Sequence, residues 1–202
     1  MKKKLLLILL CVSALNSMNS QELELEKENI AIKYHWTKEI SKNSIWTPVK
    51  LNTKSKNKLK RIYVKVKMMT LDKTKRDFDI NKFILLDVKN KLKIRPTDIS
   101  YQYVASVIPF NRLSKDKNVN VRYGIRYDDT VKDSFIDFDF PGYNTFQVPI
   151  NYGTTKSPEL HITYFEPEAF KKRRISIFFT VPFNVNTAEL YYGNEKLTDI
   201  EF

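Results

Sequence analysis

Apolar residues alternate with polar ones along most of this chain, and this period of two constrains the fold more than any other sequence feature. Side chains on a β-strand point to opposite faces in turn, so each alternating run puts its apolar groups on one face. Antiparallel sheets use this pattern, packing one face and exposing the other. The sequence therefore predicts an all-β fold. The clearest runs are 30–36, 62–68, 99–107, 119–127, 136–140, 146–150, 160–164 and 175–181.

Turn-forming residues separate these runs at the spacing typical of a β-sandwich or barrel. Little helix is expected, beyond one or two turns at 167–172 with Pro167 at the first helical position. Pro149 and Pro182 predict strand ends or sheet edges, because proline cannot donate to a strand ladder. The predicted turns are Lys89-Asn90-Lys91, Pro141-Gly142, Tyr152-Gly153 and Gly193-Asn194.

The first twenty residues have the three parts of a secretory signal peptide: a basic start, an apolar run and a small polar stretch. The apolar run is too short for a membrane-spanning helix, which needs ~20 residues. We predict cleavage after Ser20, within the window 17–21, and export to the periplasm or the outside of a bacterium. Cys11 raises the alternative of a lipoprotein signal, which the bulky Leu10 before it disfavours.

Removal of residues 1–20 leaves 182 of the 202 residues. We interpret 21–202 as one domain, able to bury about 70% of its unfolded surface, with the charged segment 21–29 as a loose leader. Cys11 is the only cysteine, so this domain has no disulfide, zinc–thiolate or cysteine-nucleophile chemistry. The formal net charge is +12, and since residues 1–20 carry three lysines and no acid, the domain carries +9. This charge attracts anionic glycan or lipid surfaces, or it serves solubility alone. No nucleic-acid partner is expected for an exported chain.

Two stretches resemble a family of extracellular bacterial domains. The first is Phe-Asp-Ile-Asn-Lys-Phe-Ile-Leu-Leu-Asp at 78–87, followed by Lys89-Asn90-Lys91 and ending at Pro96. The second is Thr180-Val181-Pro182 with Ala-Glu-Leu-Tyr-Tyr-Gly at 188–193. Over about thirty residues they resemble telokin-like domains, in which a hairpin carries Phe-x-Leu-x-Asp and a late strand ends in Val-Pro. The resemblance implies an exported immunoglobulin-like β-sandwich with no known activity and no catalytic residues to carry over.

Catalytic and metal-binding candidates are sparse. His35 and His161 alternate with apolar neighbours, which predicts exposed strand positions rather than a histidine-dependent active site. Asp133, Asp137 and Asp139 form the densest acidic patch. They are calcium ligands, the carboxylates of a glycosidase, or the polar side of a strand whose inner side is Ile136, Phe138 and Phe140. The sequence favours the strand, and we predict no cofactor and no metal.

Two further features suggest binding. The tetrapeptide Lys-Lys-Arg-Arg at 171–174 is the sharpest basic cluster, with a second basic region at 54–67. It is either a contact for an anionic glycan or lipid or a solvated turn. Trp36 and Trp46 could stack against a sugar, but Trp36 extends an apolar strand face, so the pattern predicts it in the core.

The sequence thus predicts an exported, non-enzymatic interaction or envelope module, whose ligand and oligomeric state it leaves open. One alternative is a small outer-membrane β-barrel, indicated by the alternating strands and the terminal Phe202. The other is a secreted hydrolase acting on polysaccharide through Asp133, Asp137 and Asp139.

The exported form is expected to begin between Ser17 and Glu22 and to carry no lipid. The reason is that the apolar run continues past Cys11 and a large residue precedes that cysteine. Intact-mass spectrometry of the protein purified from the envelope measures this directly. A diacylated chain starting at Cys11 would contradict it.

Overall fold

The computed structural model describes residues 22–40, 58–103, 106–107, 125–126, 132–151, 156–157, 160–162 and 164–202. Within these ranges the chain consists of β-strands and turns, with short 3-10 helices at Glu26–Glu28 and Ile80–Lys82. The strands are β1 (Glu22–Leu25), β2 (Ile30–Ile40), β3 (Leu59–Thr70), β4 (Arg76–Phe78), β5 (Phe83–Asp87), β6 (Leu92–Ile94), β7 (Pro96–Tyr103), β8 (Ser106–Val107), β9 (Ile125–Arg126), β10 (Asn144–Phe146), β11 (Ile150–Asn151), β12 (Leu160–His161), β13 (Tyr164–Phe165), β14 (Glu168–Phe170), β15 (Lys172–Pro182), β16 (Thr187–Tyr192) and β17 (Glu195–Glu201).

Two sheets hold most of these strands. The six-stranded sheet has the order β1-β2-β3-β15-β7-β8, and every neighbouring pair in it is antiparallel. The five-stranded sheet has the order β10-β6-β5-β16-β17, antiparallel except for the parallel pair β10–β6. The remaining strands form the pairs β11–β12, β9–β13 and β4–β14. The predicted all-β fold with antiparallel sheets is confirmed.

One hydrophobic core lies between the two sheets. Alternate residues of β3 and β15 supply its first wall, because the period of two turns every second side chain inward. Residues of β5, β16 and β17 supply the facing wall. Full burial of each large side chain contributes roughly 1.5–3 kcal/mol, so this shared core favours the two-layer arrangement. The core includes Ile62, Val64, Val66, Met68, Ile175, Ile177, Phe179, Phe83, Leu85, Leu190, Leu197 and Ile200.

The hairpin turns form where the sequence predicts them. Lys89-Asn90-Lys91 joins β5 to β6, and the Asp87 carboxylate accepts hydrogen bonds from the backbone and side-chain nitrogens of Asn90. Gly193-Asn194 joins β16 to β17, where Gly193 has a φ of 62°. A Cβ on Gly193 would lie 2.9 Å from the Phe138 ring, so only glycine fits this turn without a shift.

Two predictions about short segments are wrong. Residues 22–29 are not a loose leader, because β1 pairs with β2 and turns Leu23 and Leu25 toward the core. Residues 167–172 are not a helix, because β14 pairs with β4 and β15 begins at Lys172. The Phe78 and Phe170 rings stack at 4.0 Å across the β4–β14 pair, a tertiary contact that overrides the local proline signal.

The predicted strand at 136–140 is also wrong, since residues 134–137 form a turn over β6. Phe135 is 1% exposed and Ile136 is 72% exposed, the reverse of the prediction for Ile136, whereas Phe138 and Phe140 pack against a buried cluster as predicted. The centroid of the Phe135 ring lies 4.2 Å from the Lys93 ammonium nitrogen and 4.8 Å from the Arg95 guanidinium carbon. Lys93 also donates hydrogen bonds to the carbonyl oxygens of Phe135 and Phe138. These contacts hold the segment as a turn.

The run at 160–164 departs from the predicted alternation at Leu160, which is exposed. Phe165, which follows the run on β13, is fully buried. It is held by Asn81, whose side-chain amide accepts a hydrogen bond from the backbone N–H of Phe165 and donates one to its carbonyl oxygen. The Asn81 side chain thus takes the place of a neighbouring strand and directs Phe165 inward.

Several predicted features fall outside the described residues. They are the signal segment with Cys11, Trp46, the turn at Tyr152-Gly153 and most of the run 119–127. Within the part of the chain that the structure covers, no helix is long and apolar enough to cross a membrane.

Phe135→Ala is expected to lower the free energy of unfolding by about 3–5 kcal/mol, because it empties a packed position between two cations. The matched control Ile136→Ala should change it by less than about 0.5 kcal/mol, as for other exposed sites. Urea unfolding followed by tryptophan fluorescence measures both. A larger loss for Ile136→Ala would contradict the turn.

Candidate functional site

The side of the six-stranded sheet that faces away from the shared core is the candidate site, and we name it the outer face. Its positions alternate with the buried residues of β2, β3 and β15. Among the described residues, the outer face includes Lys33 and Trp36 on β2, Arg61, Tyr63, Lys65 and Lys67 on β3, Asp98 on β7, and Arg174 and Phe178 on β15.

A β-bulge in β2 brings Trp36 to the outer face. Tyr34 pairs with Val66 and Trp36 pairs with Lys65, so His35 is an extra residue in β2. An extra residue shifts every later side chain to the opposite face. Trp36 is 38% exposed, and the prediction that it lies in the core is therefore wrong. The alternation of the sequence carries no sign of this bulge.

Three aromatic rings form a row across neighbouring strands of the outer face. The rings of Trp36 and Tyr63 meet edge to face, with centroids 4.7 Å apart. The rings of Tyr63 and Phe178 stack with centroids 5.7 Å apart. The row runs from the exposed Trp36 to the buried Phe178, and burial raises the pKa of Tyr63. Such contacts hold the exposed indole in a defined position.

Three cations form a second row beside the aromatic one. Lys33 pairs with Lys67, and Lys67 pairs with Arg174, so the three occupy adjacent positions on β2, β3 and β15. Glu22 pairs with Lys33 at one end of this row, and Gln102 pairs with Arg174 at the other. Like charges directly opposite each other are destabilising across strands. We name Lys33, Lys67 and Arg174 the cationic row, and it concentrates positive charge on the central strands.

The pKa of His35 is lowered by burial and by its position beside the cationic row. Burial lowers its pKa below 6.5, and the charges of Arg174, Lys33, Lys65 and Lys67 lower it further. The imidazole is therefore neutral at pH 7. Its Nε2 atom is buried with no hydrogen-bond partner among the described residues. An anion bound at the cationic row would counter the lysine and arginine charges and raise this pKa.

A buried ion pair anchors the other end of the outer face. The Arg61 guanidinium lies 3.6 Å from the Asp98 carboxylate, and both side chains are buried. Burial lowers the pKa of Arg61, and Asp98 opposes that effect. The Arg61 guanidinium also lies 5.6 Å from the centroid of the Phe178 ring. Asp98 thus offsets Arg61 at the buried end, while the cationic row lies near the exposed Trp36.

The structure divides the basic tetrapeptide 171–174. Because side chains alternate along β15, Arg173 and Arg174 lie on opposite faces of the sheet. Arg173 forms an ion pair with Glu168 and packs over Phe170. Only Arg174 of the tetrapeptide belongs to the cationic row. Its partners Lys33 and Lys67 are distant in sequence, so no single run of charges in the sequence marks the site.

The structure places the acidic candidates on the segment that contacts Lys93 and Arg95, and the two histidines on separate strands. Asp133 pairs with Arg95, and Asp137 lies 2.9 Å from the Lys132 ammonium. Asp137 and Asp139 do not share a strand face, because their segment begins as a turn. His161 lies on β12, whereas His35 lies on β2. Across the described ranges, no group of three His, Cys, Asp or Glu side chains is positioned to hold a metal ion.

The outer face combines several cations, an exposed aromatic ring and a histidine that is neutral at pH 7. Comparison of the chain with protein families, with curated proteins and with solved structures finds no match.

Asp98→Ala is expected to destabilise the fold by about 3–5 kcal/mol, because it leaves the buried Arg61 charge without its acidic partner. The double variant Arg61→Met with Asp98→Leu should recover most of that loss, since it removes both buried charges and keeps their volume. Chemical denaturation of both variants measures the difference. Equal losses for the two would show that the ion pair does not anchor the buried end.

Proposed function

We propose that the protein is an exported, non-enzymatic interaction module of the bacterial envelope that binds an anionic partner on its outer face. The observation that carries this proposal is the cationic row of Lys33, Lys67 and Arg174 across three adjacent strands. Strand pairing brings these three cations from distant parts of the sequence together on one face, where their summed charge attracts an anion, and this favours a role in binding.

The rigidity of the central strands supports a binding role. The ladder between β3 and β15 is continuous from Lys172–Met69 to Pro182–Leu59. Directly behind the cationic row, Val66 and Ile175 are fully buried in the shared core. Cations held on such a scaffold lose little conformational freedom when a ligand binds, which favours affinity.

Composition and compartment support an anionic partner. The domain after residue 20 carries a charge of +9, since the chain has +12 and the first twenty residues have three lysines and no acid. The predicted signal peptide sends this charge to the envelope, where acidic glycans and lipid headgroups are exposed. The resemblance to telokin-like domains agrees with an immunoglobulin-like β-sandwich that acts through its surface.

The variant Lys65→Gln with Lys67→Gln should bind polyanions about tenfold more weakly than wild type, equivalent to ~1.4 kcal/mol. Binding of the wild type to polygalacturonate and to phosphatidylglycerol vesicles, measured from 20 to 500 mM salt, should weaken steeply as screening increases. Stability should change by less than about 1 kcal/mol for each substitution, because partly exposed charges on a sheet surface contribute little to folding.

The matched control is Lys89→Gln with Lys91→Gln, which removes the same charge from an exposed turn of the five-stranded sheet. It should keep the wild-type affinity to within about twofold. An equal loss in both variants would mean that net charge, and not the outer face, governs binding. No binding to either polyanion at low salt would overturn the proposed function.

A further inference from the structure

We infer that the anionic partner is an acidic polysaccharide. One of its sugar rings stacks on Trp36, and the carboxylates of the polysaccharide contact Lys65 and the cationic row. This inference rests on the proposed function and deepens it by naming the ligand class. It depends on the two rows lying side by side: the aromatic row supplies a surface for a sugar ring, and the cationic row supplies charge for its carboxylates.

Trp36 has the exposure and support that a stacking platform needs. It keeps 38% of its surface exposed, while Tyr63 contacts it edge to face at 4.7 Å. An aromatic ring that is both held and exposed presents its apolar surface at low entropic cost. The C–H groups of a pyranose ring are apolar and match such a surface, whereas a bare phosphate or sulfate has no group that would use it.

Lys65 links the aromatic and cationic rows. It pairs with Trp36 across the strands, and its ammonium lies 5.7 Å from the indole centroid. A sugar stacked on Trp36 would therefore bring a ring carboxylate within reach of Lys65. The cost of moving the ammonium from the ring to the carboxylate is small, because an exposed cation–π contact contributes only ~0.5–1 kcal/mol.

The geometry of the sheet suits a linear chain of acidic sugars. Adjacent strands lie about 5 Å apart, so Lys33, Lys67 and Arg174 form a line that runs perpendicular to the strands. A polysaccharide with a carboxylate on each sugar could follow this line and contact several cations. Discrete headgroups of a bilayer are an alternative, but Trp36 lies within a strand of the sheet and not at a protruding tip that could insert among acyl chains.

Binding of a polygalacturonate oligosaccharide, measured by calorimetry at low salt, tests the stacking. Trp36→Ala should weaken binding about tenfold, while Trp36→Tyr should stay within about threefold because it keeps an aromatic face. A neutral oligosaccharide of equal length should bind far more weakly than the acidic one. Circular dichroism of each variant establishes that the fold is intact.

The pKa of His35 is a second readout, which a purely structural role of Trp36 and the cationic row would leave unchanged. The charged groups around it are Lys33 on its own strand, Lys65 and Lys67 on β3 and Arg174 on β15. Carboxylates bound there offset these cations, so the pKa of His35, followed by NMR, should rise on saturation with polygalacturonate. His161, the second of the two histidines, lies on β12 outside the six-stranded sheet and serves as the reference resonance.

The outcomes separate this inference from the proposed function. Equal affinities of wild type and Trp36→Ala, or an unchanged His35 pKa, would overturn the polysaccharide assignment and leave electrostatic binding. Binding to phosphatidylglycerol vesicles, with none to polygalacturonate, would do the same. Absence of binding to both polyanions would overturn the proposed function as well.

Discussion

The antiparallel ladder between β3 and β15 is the interaction on which the rest of the structure depends. It pairs residues 59–69 with 172–182 without interruption, and the period of two divides both strands into an inner and an outer set. The inner set, including Val64 and Ile177, forms one wall of the core. The outer set carries Lys67 and Arg174 side by side. Core and candidate site are thus opposite faces of the same hydrogen-bonded pair.

The outer face combines features that oppose stability with features that offset them. Adjacent cations in the cationic row repel one another, and Arg61 is a charge buried in the sheet surface. Asp98 offsets the buried charge, and the aromatic row packs against it through Phe178. At the exposed end the positive charge is concentrated near Trp36. In the proposed binding mode an anion meets cations already held on adjacent strands, which favours binding without a conformational change.

Aromatic–cation contacts also hold the periphery of the fold. Lys93 and Arg95 both lie over the Phe135 ring, and their hydrogen bonds and ion pair fasten the segment around Asp133 to the five-stranded sheet. Lys60 has a similar position at the edge of the core, where its ammonium lies 5.0 Å from the Phe202 ring and donates a hydrogen bond to Asn186. In a chain rich in lysine, buried cations over aromatic rings replace some of the aliphatic packing.

The sequence by itself determined the fold class, the hairpin turns and the long strands. These features depend on local signals, namely the alternation of apolar and polar residues and the turns formed by asparagine and glycine. Runs 62–68 and 175–181 could be recognised as strands, and β15 ends at Pro182 as predicted. Tertiary structure decided the rest. The bulge at His35 turned Trp36 outward, Asn81 directed Phe165 inward, and Lys93 fastened the turn at 134–137. The cationic row exists only because strand pairing unites residues 33, 67 and 174, and no local pattern encodes which strands become neighbours.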